Sequence, residues 1–425
     1  MLVEFSVSNF KSIKEKQTLS LIADESNVKS DNVFTPMEGD ELRLLKSAVI
    51  YGANASGKSN IIQAFSTFLH FINQVKFDVK DDIPFFKPFL LDSAYSQKPT
   101  DFELVFILDG IMYEYNLTFD SQEVIGESLY FYPQNRKEKL FERERSEVTL
   151  GDSFQNQDEV FKKAFKKSAY LSLVAAEEHQ QMRKIYEYFE GYVVFSSNNT
   201  DIRKILEVDI TQKLLKNKNL RKKLAKLMRI ADTQIDDFLI EESEVRFLEQ
   251  SPEDIPEELL KWIIDRHKYE ILTVHKSYEN RHPASMVKFD LSEQESVGTK
   301  ILYALGGLIL LVLESGGIII VDELDNSLHY KLSKLLIKLF HVPKSNPKNA
   351  QIIFATHETT LLNWELFRKD QIYFTEKDKY GETDLFSAQD FNSVKDDSPF
   401  DKWYLQGTFG GEPNIKEMEF IFGDD

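Results

Sequence analysis

A short run of glycines that ends in lysine and serine has the residue types and spacing of a phosphate-binding turn. The run is GANASGKS at 52–59, with an apolar segment before it and a helical pattern after it. Glycines let successive backbone N–H groups turn toward one anion, and the start of a helix adds partial positive charge. We expect Lys58 to reach the β- and γ-phosphates of ATP and the Ser59 hydroxyl to bind Mg²⁺. The predicted nucleotide contacts in and beside this phosphate loop are Gly52, Asn54, Ser56, Gly57, Lys58, Ser59 and Asn60.

Two adjacent carboxylates follow a second apolar run, GIIIVDE at 317–323. Burying carboxylates is costly unless a cation or a reaction uses them. Asp322 is predicted to hold the Mg²⁺ through water, and Glu323 to orient or deprotonate the water that attacks the γ-phosphate. A strand that ends in an acidic turn without a catalytic role is the alternative.

A histidine follows the next apolar segment. His357 comes directly after the predicted strand 351–355, and the carboxyl ends of strands form the ligand-binding edge of an α/β sheet. It is therefore predicted to hydrogen-bond the γ-phosphate. An ordinary loop histidine is the alternative.

The stretch LSEQESVGT at 291–299 opens the helix that leads into the two carboxylates. A serine at this place is by itself a common helix N-cap. The order of phosphate loop, Ser-x-Gly segment, strand with two acids, Asp325 and a strand ending in histidine resembles the ATP-binding-cassette ATPases. The resemblance is strongest to the soluble branch with the SMC and RecF proteins. The opening SNFKS at 8–12 looks like the N-terminal strand of that branch and adds Lys11 to the expected nucleotide contacts.

This resemblance implies a head-to-tail dimer or a higher homo-oligomer. In such ATPases the Ser-x-Gly segment of one subunit covers the ATP held by the phosphate loop of the other. Ser296 and the Gly298 backbone are thus expected to bind the γ-phosphate in trans, and Asp325 to lie in the loop that links the two sites. Val297 departs from the pattern, because transporters usually have a glycine there. Gln97 is the candidate for the glutamine of the Q-loop.

Several longer motifs resemble a narrower family, the RloA/AbiL-type ATPases of bacterial abortive-infection loci, to which the ATPase of the PARIS anti-phage system is similar. The motifs are PFLLD at 88–92, KPTDFE at 98–103, ESVGT at 295–299, DELDNSLH at 322–329, ATHE at 355–358 and YLQGTFG at 404–410 with Pro413. They cover both ends of the chain, about two-thirds of it. The resemblance implies a prokaryotic cytoplasmic protein whose ATP-driven assembly holds or releases a separately encoded nuclease or toxin effector.

The pattern of elements predicts an α/β fold: an ATP-binding-cassette P-loop NTPase with an antiparallel β subdomain and a helical insertion. Residues 1–150 are expected to carry the phosphate loop and the β subdomain, 151–285 the insertion, and 286–425 the rest of the ATPase domain. The predicted strands are 2–8, 47–51, 101–108, 111–119, 127–132, 318–321, 351–355 and 371–375. The predicted helices begin at 60 and then span 161–173, 178–191, 202–230, 257–268, 299–313 and 332–340.

Composition limits the classes of function. Hydrophobic residues make up 42% of the 425 residues, which is enough for a large core, and the absence of cysteine excludes disulfides, thiolate metal sites and a cysteine nucleophile. The most apolar stretch, 303–321, is interrupted by Glu314 and glycines. It therefore favours a buried helix and strand over a membrane span.

The net charge of −18 is unevenly distributed. Residues 201–230 carry ten lysines and arginines against three acids. DNA is therefore a second candidate partner, and a DNA-repair or DNA-structuring ATPase of the SMC/RecF type is the alternative function. A solvated helix face would explain the same residues. A transporter subunit is disfavoured by the long insertion. A fused nuclease is disfavoured by the short segment after His357, where Asp378 and Asp384 are expected to be solvated.

Overall fold

The computed structural model describes residues 1–37, 39, 41–73, 82–156, 164–176, 179–197, 200–231, 234–242, 269–395 and 397–410. The α-helices among them are α1 (Lys58–Asn73), α2 (Tyr170–Ala176), α3 (Gln180–Glu190), α4 (Thr200–Lys216), α5 (Lys218–Ile230), α6 (Val297–Ser315), α7 (Tyr330–His341) and α8 (Phe400–Leu405). The strands are β1 (Leu2–Ser8), β2 (Gln17–Ser20), β3 (Val33–Phe34), β4 (Leu44–Leu45), β5 (Ser47–Gly52), β6 (Thr100–Leu108), β7 (Ile111–Phe119), β8 (Val124–Phe131), β9 (Glu138–Glu144), β10 (Glu147–Leu150), β11 (Tyr192–Ser196), β12 (Ile235–Glu242), β13 (Tyr269–Glu279), β14 (His282–Asp290), β15 (Ile318–Asp322), β16 (Gln351–Ala355), β17 (Ile372–Lys377) and β18 (Thr383–Ser387).

The chain forms two compact units. The first contains Met1–Val194, Gly316–Asp322 and the residues from Ile337 on, and the second contains Phe195–Ser315 and Glu323–Leu336. The first unit therefore holds both the phosphate loop and Asp322, although Ser59 and Asp322 are 263 positions apart in the sequence. The second holds Glu323, Asp325 and the Ser-x-Gly segment.

A mainly parallel sheet forms one layer of the first unit. Its strand order is β11-β15-β16-β5-β17-β18, and β15, β16, β5 and β17 are mutually parallel. The four parallel strands consist almost wholly of buried residues, as strands covered on both faces do. Their carboxyl ends consequently meet at one edge of the sheet.

An antiparallel sheet forms the second layer, with the strand order β10-β9-β8-β7-β6-β1-β2. It confirms the predicted β subdomain. The β6–β7 hairpin turns through Asp109 and Gly110, whose φ angles of 49° and 75° are those of a two-residue type I′ turn. This register continues without a break from Leu108–Ile111 to Thr100–Phe119.

Helix α1 forms the shared core between these sheets. Its ring at Phe65 stacks on Phe5 of β1 with 3.7 Å between ring centroids, and Phe68 makes edge contacts with Phe102 and Tyr115. The opposite side of the helix contacts β15, β16 and β5. Full burial of each such ring contributes about 1.5–3 kcal/mol. The helix that begins at Lys58 is thus fixed by packing on both sides.

A buried ion pair joins the antiparallel sheet to α2. The Glu127 carboxylate on β8 lies 3.1 Å from Nη1 of Arg143 on β9, and both side chains are fully buried. Glu127 also accepts hydrogen bonds from the Tyr115 hydroxyl at 2.8 Å and from the backbone N–H of Tyr170 at 2.6 Å and of Leu171 at 3.0 Å. Burial, and then the neighbouring Glu127, raise the pKa of Tyr115 well above its usual value, so the hydroxyl remains a donor.

We expect Glu127→Ala to lower the free energy of unfolding by about 3–5 kcal/mol, because it leaves the Arg143 guanidinium buried without its counter-ion. Urea denaturation would measure the loss. Glu187→Ala is the matched control, since it removes one carboxylate from an exposed pair with Arg183 and should cost less than about 1 kcal/mol. Equal losses for the two variants would contradict the role given to the buried pair.

In the second unit, α4 and α5 pack on α6 at two adjacent glycines. A Cβ at Gly306 would lie 2.8 Å from Cδ2 of Leu227 on α5, and one at Gly307 would lie 2.7 Å from Cγ2 of Ile210 on α4. Only glycine permits this close approach. Most residues of α6 are buried, and although the helix is long and apolar enough to cross a membrane, it serves here as a core helix.

The expectation that 151–285 is mostly helical is wrong for β11 and for 235–242 and 269–285, which form strands. Here β12, β13 and β14 make a three-stranded antiparallel sheet. Cross-strand pairing outweighed the high charge that favoured helices. The predicted helix 202–230 is two helices, because the Asn217 side chain accepts from the N–H groups of Asn219 and Leu220 and starts a new helix. The predicted helix 257–268, the beginning of 161–173 and Pro413 lie outside the described residues.

Candidate functional site

The phosphate loop leaves β5 and enters α1, as predicted. Gly52, Ala55 and Gly57 have φ angles of 154°, 63° and 116°. A Cβ at Gly52 would lie 2.5 Å from Oγ of Ser56, and one at Gly57 would lie 2.5 Å from Cγ2 of Thr383. Both glycines are therefore required by space as well as by backbone conformation.

The backbone N–H groups of the loop are suited to an anion. Those of Asn54, Ala55 and Gly57 donate to no atom of the described residues. Asn54 itself is exposed, and Ser56 is buried, with its hydroxyl 2.6 Å from that of Thr375. Unpaired N–H groups directly before a helix match the donors that a polyphosphate needs.

Lys58 is the charged group of the loop. Its side chain is buried, and Nζ donates to the carbonyl oxygens of Gly52 at 2.7 Å and Ala53 at 2.9 Å. These bonds hold the ammonium group at the loop itself rather than in solvent. A phosphate at the loop would thus meet a cation whose position is already fixed.

Two hard oxygen ligands lie side by side next to the loop. The Ser59 hydroxyl donates to Oδ1 of Asp322 at 3.1 Å, and Asp322 is 8% exposed. Hydroxyl and carboxylate oxygens are the ligands that Mg²⁺ prefers, usually together with waters and nucleotide phosphates. The pair fits the predicted magnesium site.

Glu323 follows Asp322 in a strained conformation. Its φ angle of 56° lies in the left-handed region, which is uncommon for a residue other than glycine. Within the second unit, its carbonyl oxygen accepts from the N–H of Asn326 at 3.1 Å. Asp325 is half-buried in the same turn, where its carbonyl accepts from Leu328 at 3.2 Å. Such strain persists where surrounding structure enforces it, commonly at active sites.

His357 lies at the same edge of the parallel sheet as the phosphate loop. It follows β16, which pairs with β5 on one side and β15 on the other. The N–H of Thr356 donates to the carbonyl of Ile50 at 3.2 Å, and the Tyr51 hydroxyl donates to that of Glu358 at 3.3 Å. These bonds fix the backbone on both sides of the exposed histidine.

The turn after β1 braces the phosphate loop. The Ser12 hydroxyl is 2.8 Å from that of Thr383 and accepts from the Asn60 amide at 2.6 Å, while Thr383 donates to the carbonyl of Ser56 at 2.9 Å. Asn60 is therefore engaged in positioning the loop. Sequence reasoning missed Thr375 and Thr383 because no motif spacing links them to the loop.

Lys11 lies in this turn, with a φ angle of 53°. Its Nζ donates to Oε1 of Gln63 on α1. Burial, and then the nearby Lys87, lower the pKa of Lys11. Lys11 is thus placed beside the helix that begins at the phosphate loop. Gln97 is exposed in a turn of the same unit.

In the second unit, Ser296 caps α6. Its hydroxyl accepts from the N–H of Thr299 at 3.1 Å. A Cβ at Gly298 would lie 2.7 Å from the carbonyl oxygen of Ser327, so glycine is needed where α6 meets the turn that contains Asp325. The Glu295 carboxylate joins this segment to β13. It accepts a hydrogen bond from the Thr273 hydroxyl at 2.5 Å and lies 2.7 Å from Nε2 of His275. Ser296 therefore has the N-cap role that the sequence offered as the alternative.

A glycine-rich loop between a buried parallel strand and a helix, with a serine and an aspartate paired beside it, defines a P-loop nucleotide-binding protein of the ATPase type. A sequence profile described as "AAA domain, putative AbiEii toxin, Type IV TA system" matches residues 47–363. That span is well over half of the chain, and the chain belongs to this family.

One solved structure similar to this chain is the SMC head domain from Thermotoga maritima. The two are 14% identical in sequence with a TM-score of 0.41, and the match covers 91% of this chain and 98% of that one. No curated protein matches the sequence.

Proposed function

We propose that this protein hydrolyses ATP with Mg²⁺ as a head-to-tail homodimer, or a higher oligomer of such dimers, and that this cycle controls a separately encoded cytoplasmic effector in anti-phage defence. One observation carries the ATPase step. The loop presents free N–H groups and a fixed Lys58 cation beside the paired oxygens of Ser59 and Asp322.

Each residue has a defined task in this cycle. Lys58 and the loop N–H groups bind the phosphates, and Ser59 and Asp322 hold Mg²⁺, which screens their charge when bound. Glu323 accepts the proton of the attacking water or orients that water, and His357 donates to the γ-phosphate. Lys11 lies along the nucleotide beside α1. Ser296 and the Gly298 N–H cover the γ-phosphate of the partner subunit's nucleotide, and Asp325 joins the two sites.

The defence assignment rests on the family. Its description names a toxin and a type IV toxin–antitoxin system, and this supports the proposal that the protein controls an effector. The RloA/AbiL-like motifs support the same assignment. The direct test is to purify the protein with the product of the neighbouring gene, with ATP and without it. Association that changes with nucleotide supports the proposal, and two proteins that never associate contradict it.

Mixing two inactive variants tests the trans arrangement. Ser296→Arg should leave ATP binding intact but block closure, and Lys58→Ala should lose binding. In a 1:1 mixture, half of the dimers pair an intact phosphate loop with an intact Ser296, so about a quarter of wild-type phosphate release should return. No recovery in the mixture, or full activity of Ser296→Arg alone, would contradict a shared site.

A further inference from the structure

The outer face of α5 carries five exposed cations. They are Lys218, Lys222, Lys223, Lys226 and Arg229, and we call them the basic face. The inner face of the helix is buried through Leu220, Leu224, Leu227 and Met228, so the orientation of α5 is fixed by the core of the second unit. No acidic residue occurs between Lys218 and Ile230, although the whole chain carries a net charge of −18.

The cations of this face have little compensation from nearby acids. Arg229 lies 4.0 Å from Asp236, the one ion pair of the basic face among the described residues. Lys218, Lys222, Lys223 and Lys226 make none within the described part of the chain. The lysine charges therefore face solvent.

These cations destabilise α5, the helix that carries them. Asn217 caps α5, so Lys218 is its first residue and Arg221 and Lys222 follow one turn later. The positive end of the helix dipole disfavours cations there, and like charges four residues apart repel each other, as at Lys218–Lys222 and Lys222–Lys226. In contrast, Lys213 and Lys216 lie in the last turn of α4, where the dipole favours them.

We propose that the basic face binds the phosphodiester backbone of a double-stranded nucleic acid without reading its sequence. From Lys218 to Arg229 the face extends about 16 Å along the helix. A DNA duplex offers about one negative charge per 1.7 Å, so an array of one sign meets phosphates in many registers. Asn219 is the one amide among the exposed residues of α5, so the face offers almost only cations, which meet phosphates of any sequence.

The test compares two charge-matched variants. Lys222→Gln/Lys223→Gln/Lys226→Gln neutralises the basic face, and Lys344→Gln/Lys348→Gln/Lys379→Gln removes three exposed lysines of the first unit. Fluorescence anisotropy would follow binding of the full chain to 30-base-pair DNA and RNA duplexes between 50 and 200 mM salt. Unlabelled polyglutamate would serve as a competitor.

Wild type and the control should bind with a steep salt dependence. The basic-face variant should flatten the log–log slope by about 3, because each phosphate that a lysine no longer neutralises lowers it by about 0.9, and should weaken binding at least about tenfold at the lowest salt. Its Tm should stay equal or rise, because repulsion within α5 is relieved. The DNA and RNA arms show which duplex is preferred.

Four results would overturn the proposal. Wild type that binds neither duplex at 50 mM salt would exclude a nucleic-acid surface. Equal binding by the two variants would place the contact elsewhere. Polyglutamate that competes as strongly as duplex would point to an acidic protein partner instead. A fall in Tm of the basic-face variant would give the cations a structural role.

Discussion

Lys58→Ala is expected to abolish ATP hydrolysis and to weaken nucleotide binding at least about 100-fold. Lys58 Nζ is buried at the phosphate loop, and its position is fixed by the carbonyl oxygens of Gly52 and Ala53. A charge-assisted hydrogen bond contributes about 1.5–3 kcal/mol, and contact with two phosphates doubles that loss. Titration with a fluorescent ATP analogue and an assay of phosphate release would measure the two effects.

Lys14→Ala is the control for this variant. Lys14 also lies in the first unit, where it pairs with Asp92 at 3.3 Å and with Glu382 at 3.7 Å rather than with the carbonyl oxygens of the loop. Removing it should leave binding and turnover within about twofold, because these half-buried ion pairs do not include any group of the phosphate loop. Normal hydrolysis by Lys58→Ala would withdraw the assignment of 52–59 as the nucleotide site.

Glu323→Gln is expected to bind ATP normally and to release phosphate about 100-fold to 10,000-fold more slowly, the range over which a general base contributes. The amide keeps the size of the side chain but cannot accept the proton of the attacking water. Because the ATP-bound state then persists, light scattering should find a stable dimer with ATP and a smaller species without it.

Glu314→Gln is the matched control for that experiment. Glu314 is an exposed carboxylate near the end of α6, where it accepts from the Asn217 amide at 3.4 Å. Its replacement should change neither turnover nor the response to ATP. Wild-type hydrolysis by Glu323→Gln would assign water activation to another group, and monomers with bound ATP would contradict a nucleotide-driven dimer.

The loop, the serine–aspartate pair and the sheet edge could be predicted because each depends on a short run of residues. The run 52–59 has glycines where the backbone φ is positive, and 317–323 and 351–357 are apolar runs that end in polar groups. Parallel strands then bring their carboxyl ends to one edge. At these places the residues that form the local pattern are the same ones that the folded structure requires.

Other features depend on partners distant in sequence. Thr383 packs on Gly57 and bonds to Ser12, and neither contact leaves a local pattern. The strands β12–β14 are stabilised by one another, so a highly charged sequence gave no sign of the sheet. The break between α4 and α5 could have been found, because Asn217 is a good N-cap within the predicted helix.

Within the second unit, helix α6 connects Ser296 to the places where α4 and α5 pack on it. Ser296 caps its first turn, and Gly306 and Gly307 contact α5 and α4 about 15 Å further along the same axis. A ligand that shifts α4 or α5 would therefore act on the helix that carries Ser296, the serine proposed to cover the nucleotide of a partner subunit.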